Sequence, residues 1–160
     1  MFRILALDQS TRITGWSVIT KDGITDYGKL VVSDTNAPIQ TRFEEMFRLI
    51  ENLIDTVKPS FVVFEGTQFQ NNAGAFGSLS KLQGLIMSLL FLRNIGYFIV
   101  EPTCWKSYCH IQGRRREQQK SNTKKFVAEK YQLVVCEDEA DAIGIATWAI
   151  DNIKEQKNKP

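Results

Sequence analysis

The sequence holds only three cysteines, Cys104, Cys109 and Cys136, and a single histidine, His110. An odd cysteine count without framework spacing excludes a disulfide-stapled scaffold and fits reduced, cytoplasmic thiols. Cys104, Cys109 and His110 match no common zinc-ligand spacing, so they read as packing thiols beside a loop histidine. Long hydrophobic runs are missing as well. The most apolar stretch, near Leu85–Leu92, is cut off by Arg93 and Asn94, short of a membrane span. The opening MFRILALDQS carries Arg3 and Asp8 with no apolar run and cleavage site behind them, unlike a signal peptide. There are no internal repeats and no linker. The expectation is one domain over residues 1–153 with a polar tail over 154–160.

Net charge is also scarce, with 20 basic and 18 acidic residues giving +2. Its distribution is uneven. Residues 111–130 carry Arg114, Arg115, Arg116, Lys120, Lys124, Lys125 and Lys130 against Glu117 and Glu129, a local +5, so the remainder sums to −3. A neutral total thus conceals a basic segment suited to a polyanion. Hydrophobic content of 43% is ordinary for a globular domain.

The apolar patterning predicts strands at Phe2–Asp8, Gly15–Thr20, a third ending near Val32, Phe61–Glu65 and Tyr97–Glu101, with Asp22-Gly23 as a hairpin signal. Phe43, Met46, Phe47, Ile50, Leu53, Ile54 and Val57 recur at helical spacing up to Pro59. Further helices are predicted over about Ala73–Arg93, Gln119–Tyr131 and Glu137–Ile153, with a polar loop at 108–118. The order β-β-β-α-β-α-β-α-α implies an α/β fold: a five-stranded mixed sheet with helices on both faces and the first and fourth strands side by side.

Asp8 and Glu65 each end a buried strand. For either alone, a chain surfacing from the core is sufficient explanation. Two acids at one edge of neighbouring strands repel unless a cation lies between them. Glu137, Asp138, Glu139 and Asp141 crowd the start of the last helix, beyond what the helix dipole needs, and Asp138 and Asp141 share a face. Small residues behind them, Ala142 to Ala146, would let this helix lie close to the sheet. Carboxylates from two strand ends and one helix face offer hard oxygen ligands for Mg²⁺ or Mn²⁺, as in two-metal phosphodiester hydrolysis.

The segments LALDQSTRITGWSVI, VVFEGTQF and EDEADAIGIA, in this order, resemble the RuvC Holliday-junction resolvases of the ribonuclease H-like superfamily, from Ile4 to about Ile150. The short length is closer to phage-type members than to the longer bacterial ones. The resemblance implies that Asp8, Glu65, Asp138 and Asp141 form a catalytic, metal-binding tetrad using two ions. It further implies a homodimer that nicks opposed strands of a four-way DNA junction, with forks and flaps as further branched substrates. Phe69 resembles an aromatic that stacks at the junction, and Lys106 and Lys120 match basic positions near the scissile phosphate. Arg114, Arg115, Arg116, Lys124 and Lys125 would track flanking backbones, although a charge run is usually a solvated face. Gln9-Ser10 departs from the Pro-Gly that often follows the first aspartate. The insert Arg114–Gln119 is longer than the compact bacterial loop.

The helix around Ala73–Leu92 is apolar almost all round, which suits either a deep core or a two-fold dimer contact, and the latter is expected. Three rival readings fit the sequence less well. The G-x4-G-K spacing of Gly23–Lys29 lacks the Ser/Thr and the strand–helix setting of a P-loop. An actin-like or sugar-kinase phosphate loop would need a second lobe. A catalytically inactive junction-binding module would gain nothing from carboxylates beside phosphates.

Overall fold

The fold was taken from a computed structural model, which describes residues 1–69 and 71–153; the expected tail over 154–160 lies outside them. Strands β1 (Ile4–Asp8), β2 (Ile13–Thr20), β3 (Gly23–Val31), β4 (Phe61–Glu65) and β5 (Gly96–Val100) form one sheet in the order β3-β2-β1-β4-β5. The first three strands meander antiparallel, and β4 and β5 join parallel. β1 and β4 are central and adjacent, so both are apolar on both faces.

Alternation of side chains sorts the core into two layers. Leu5, Leu7, Val62 and Phe64 face helices α1 (Ile39–Val57) and α2 (Ala73–Leu92), meeting Phe43, Met46, Ile50, Leu82, Ile86 and Leu90. Ile4, Ala6 and Val63 face the other way, toward Trp105, Ile145, Ala146 and Ala149. The second layer comes from α3 (Pro102–Tyr108), α4 (Arg116–Tyr131) and α5 (Glu137–Asn152).

Two elements differ from the sequence expectation. The short helix α3 adds one α to the predicted order; Pro102 opens it at a first-turn position where its missing N–H costs nothing. Helix α4 begins at Arg116, inside the predicted 108–118 loop, because Gln118 Oε1 accepts hydrogen bonds from the Arg114 and Arg115 amides at 3.0 and 3.2 Å. This reach-back satisfies donors that would otherwise be orphaned at the helix start.

Helix α2 is long and apolar enough, by length and composition, to cross a membrane, contrary to the reading of its run as too short. Its Leu82, Ile86, Leu89 and Leu90 are nevertheless buried against α1 and the sheet, while Leu85, Phe91 and Leu92 are exposed.

Candidate active site

Parity places the acids. Asp8 follows Ile4 and Ala6 along one face of β1, and Glu65 follows Phe61 and Val63 along the same face of β4. Leu7 pairs with Phe64, so the two carboxylates stand at adjoining strand ends on the side covered by α5. Helix α5 approaches that edge closely because Gly15, paired with Asp8 across β1 and β2, has no side chain. A Cβ built there would stand 1.9 Å from the Asp138 carbonyl oxygen. A buried bond from Ser17 Oγ to the Ala142 carbonyl, 2.8 Å, fastens the next turn.

Asp8, Glu65, Asp138 and Asp141 consequently line one cleft of about 790 Å³, together with Lys106, Arg116 and Lys120. Burial raises the proton affinity of Asp8 well above the ordinary carboxylate range, and Asp141, Glu65 and Asp138 raise it further, against a lowering by Lys106. Asp141 is pushed up to about 6, chiefly by burial and then by Glu65. Glu65 is raised by burial while the Trp105 hydrogen bond and Lys106 pull it down. Among the described residues, no three acidic, His or Cys side chains close into a finished metal cage. An all-oxygen, mutually repelling set of this kind nonetheless fits a hard divalent cation, which would restore the ionised forms.

The other residues expected at the site divide. Lys106 Nζ donates to Gln119 Oε1 at 3.2 Å and lies 5.4 Å from the Trp105 ring centroid. Lys120 is paired with Glu137 at 2.5 Å, and this contact holds the Glu137 carboxyl below its usual range. Lys124 sits one turn further along α4, exposed and outside the cleft lining. Arg114 and Arg115 are exposed and also outside that lining; Arg114 borders a shallow depression with Gln112, Glu117 and Asn122. Phe69 is 61% exposed and packs edge-on against Phe76, itself a cleft residue.

Sequence reasoning missed Trp105 and the two glutamines that hold the Glu65 backbone. Trp105, wholly buried, donates its indole N–H to Glu65 Oε2 at 2.6 Å. Gln9 and Gln83 donate side-chain N–H groups to the Glu65 carbonyl at 2.6 and 3.2 Å. No charge or periodicity marks any of them; the available signal was a large aromatic beside Lys106.

The family model described as crossover junction endodeoxyribonuclease RuvC matches residues 4–148. The chain belongs to the RuvC family. A RuvC of Methylobacterium radiotolerans is 30% identical over 147 residues, covering 90% of this chain and 70% of that protein. One of Brevibacillus brevis is 24% identical and covers 90% and 89%. Among solved structures, Thermus thermophilus RuvC in complex with a Holliday junction substrate superimposes with a TM-score of 0.72 at 13% identity, over 94% of this chain and 96% of that one. The yeast mitochondrial Holliday junction resolvase Ydc2 gives 0.64 at 14%, over 93% and 78%. The ribonuclease H-like mixed sheet is thus the RuvC fold, and the protein is an endodeoxyribonuclease of a metal-dependent RuvC family.

Proposed function

We propose that the protein resolves four-way DNA junctions, and acts on other branched DNA, through Asp8, Glu65, Asp138 and Asp141 holding two Mg²⁺ ions, with Mn²⁺ able to substitute. The observation that carries this reading is the convergence of all four carboxylates on one cleft that Arg12, Lys106, Arg116 and Lys120 also line. Bound divalent ions supply the activation of water and the stabilisation of the leaving oxygen. The chain's own part is to orient and neutralise. Lys106, Arg116 and Lys120 offer ammonium and guanidinium groups to phosphate oxygens beside the acids. Phe69, exposed at the cleft rim next to Phe76, offers a face on which an unpaired base can stack, a contact worth about 1–3 kcal/mol. Arg114, Arg115 and Lys124 lie further out, where they would follow flanking duplex arms.

The working unit in this proposal is a homodimer joined through the exposed face of α2 (Leu85, Phe91 and Leu92), so that two sites nick opposed strands. Its place is the bacterial cytoplasm, where junctions arise. The reading of a non-catalytic binding module is disfavoured by the acids themselves, which repel phosphate unless a cation intervenes.

A labelled panel of four-way, forked, flapped and linear DNAs, incubated with Mg²⁺ or EDTA, tests this. Paired nicks in the four-way junction with Mg²⁺ only are expected. Asp8→Asn should abolish them while junction binding in a gel-shift assay persists. Cleavage by that variant at the wild-type rate would refute the carboxylate assignment.

A further inference from the structure

We propose that Trp105 is the positioning residue of the site: its buried indole N–H fixes the Glu65 carboxylate in one orientation toward the divalent cation. The inference rests on the carboxylate reading above and adds a residue outside the acidic set. Among the described residues, Glu65 is the only one of the four acids whose carboxylate accepts a hydrogen bond from the protein, and Trp105 is its donor at 2.6 Å.

Three features make this contact a fixed one. First, an indole nitrogen only donates, so it is matched to an ionised oxygen and opposes protonation at Oε2. Trp105 is 0% exposed, so its N–H has no water to turn to and would be left unsatisfied if Glu65 swung away. Second, the ring occupies a space that α5 leaves open. A Cβ on Gly144 would come within 2.5 Å of the Trp105 ring. Third, the Glu65 backbone is held independently, since Gln9 and Gln83 both bond its carbonyl. With main chain and one carboxylate oxygen both tied, Glu65 has its other oxygen, Oε1, committed to no protein donor. Asp8, Asp138 and Asp141 carry no such bond among the described residues, so Glu65 serves as the fixed ligand around which the others adjust. The same helix α3 sets Lys106 on the cleft, so one short segment delivers both the carboxylate's donor and a phosphate-seeking cation.

The test replaces Trp105 with Phe, and separately with 3-benzothienylalanine, which keeps the bicyclic shape but has sulfur in place of the N–H. Mg²⁺ affinity is measured by calorimetry on the DNA-free protein, alongside the half-saturating Mg²⁺ and the junction KM for cleavage. Loss of an outer hydrogen bond to a metal ligand typically costs 10–100-fold in metal affinity. Both variants should therefore weaken Mg²⁺ binding by about 10-fold or more, with the junction KM at saturating Mg²⁺ unchanged. The analogue, being isosteric, should lose less melting temperature in EDTA than Trp105→Phe while weakening Mg²⁺ binding as much, which separates a lost donor from lost packing. Wild-type Mg²⁺ affinity in the analogue, with Glu65→Gln abolishing Mg²⁺ binding, would overturn the role of Trp105 alone. Retained Mg²⁺ binding and cleavage in Glu65→Gln would instead overturn the carboxylate reading beneath it.

Discussion

Asp8 sits where ionisation is least welcome, largely desolvated and facing the charges of Asp141, Glu65 and Asp138. A carboxyl whose proton affinity is higher folded than unfolded favours the fold below its ordinary value of 3.8 and loses that contribution as pH rises through its folded value. Asp141, at about 6, behaves likewise, so together they place the loss between about pH 4 and above pH 6. In EDTA, the melting temperature of Asp8→Asn should therefore exceed that of the wild type at pH 7.5, by about 2–4 °C for each kcal/mol relieved, and the gap should narrow toward pH 4. Mg²⁺ should raise the melting temperature of the wild type more than that of the variant. A variant less stable than the wild type in EDTA at pH 7.5 would contradict the repulsion. The alternation Ile4, Ala6, Asp8 and Phe61, Val63, Glu65 made this pair legible from sequence, because strand period alone fixes which side chains share a face. The Trp105–Glu65 bond was not legible: it depends on how a ring from a short helix fits against Gly144, and no linear pattern encodes that.

At the scale of elements, the site depends on how near α5 comes to the sheet. Gly15→Ala would force Cβ against the Asp138 backbone, which cannot rotate away as a side chain could. Overpacking of this sort costs about 1–3 kcal/mol. Urea denaturation should record that loss, and cleavage should fall further than stability because Asp138 and Asp141 move with the helix. The stripe Arg116, Lys120, Lys124 on α4 makes a separate prediction. Arg116→Ala should flatten the log–log salt dependence of junction binding by about 0.9, the value for one phosphate contact. Lys120→Ala should flatten it less, since Lys120 is already neutralised by Glu137 in the free protein. Equal effects would show that the Glu137 pairing does not weaken the contact of Lys120 with phosphate. The small residues of α5 announced its close packing, whereas the true start of α4 was hidden, since Gln118 reads as solvated polar sequence until its amide is seen to cap Arg114 and Arg115.

For the whole molecule, the sheet separates two tasks. The face of the sheet covered by α3–α5 holds the acids, two at strand ends and two on α5, and the α1–α2 layer presents Leu85, Phe91 and Leu92 to solvent. Sedimentation should give about twice the chain mass of 18.3 kDa, and Phe91→Glu with Leu92→Glu should yield monomers that bind junctions without making paired nicks. A wild-type monomer that still cuts in pairs would refute the proposed assembly. The charge asymmetry and the topology were readable in advance, since both follow from composition and right-handed crossovers. What they did not reveal is that α2 spans the two tasks. Its first turns, Ala75, Phe76 and Leu79, wall the cleft, and its last turn holds the exposed Phe91 and Leu92. Twenty residues of helix extend about 30 Å. In the proposed two-fold assembly, with the partner seated on Phe91 and Leu92, this helix would act as a ruler between the two cuts, and removing one residue from its middle would shorten it by about 1.5 Å and turn one end about 100° relative to the other.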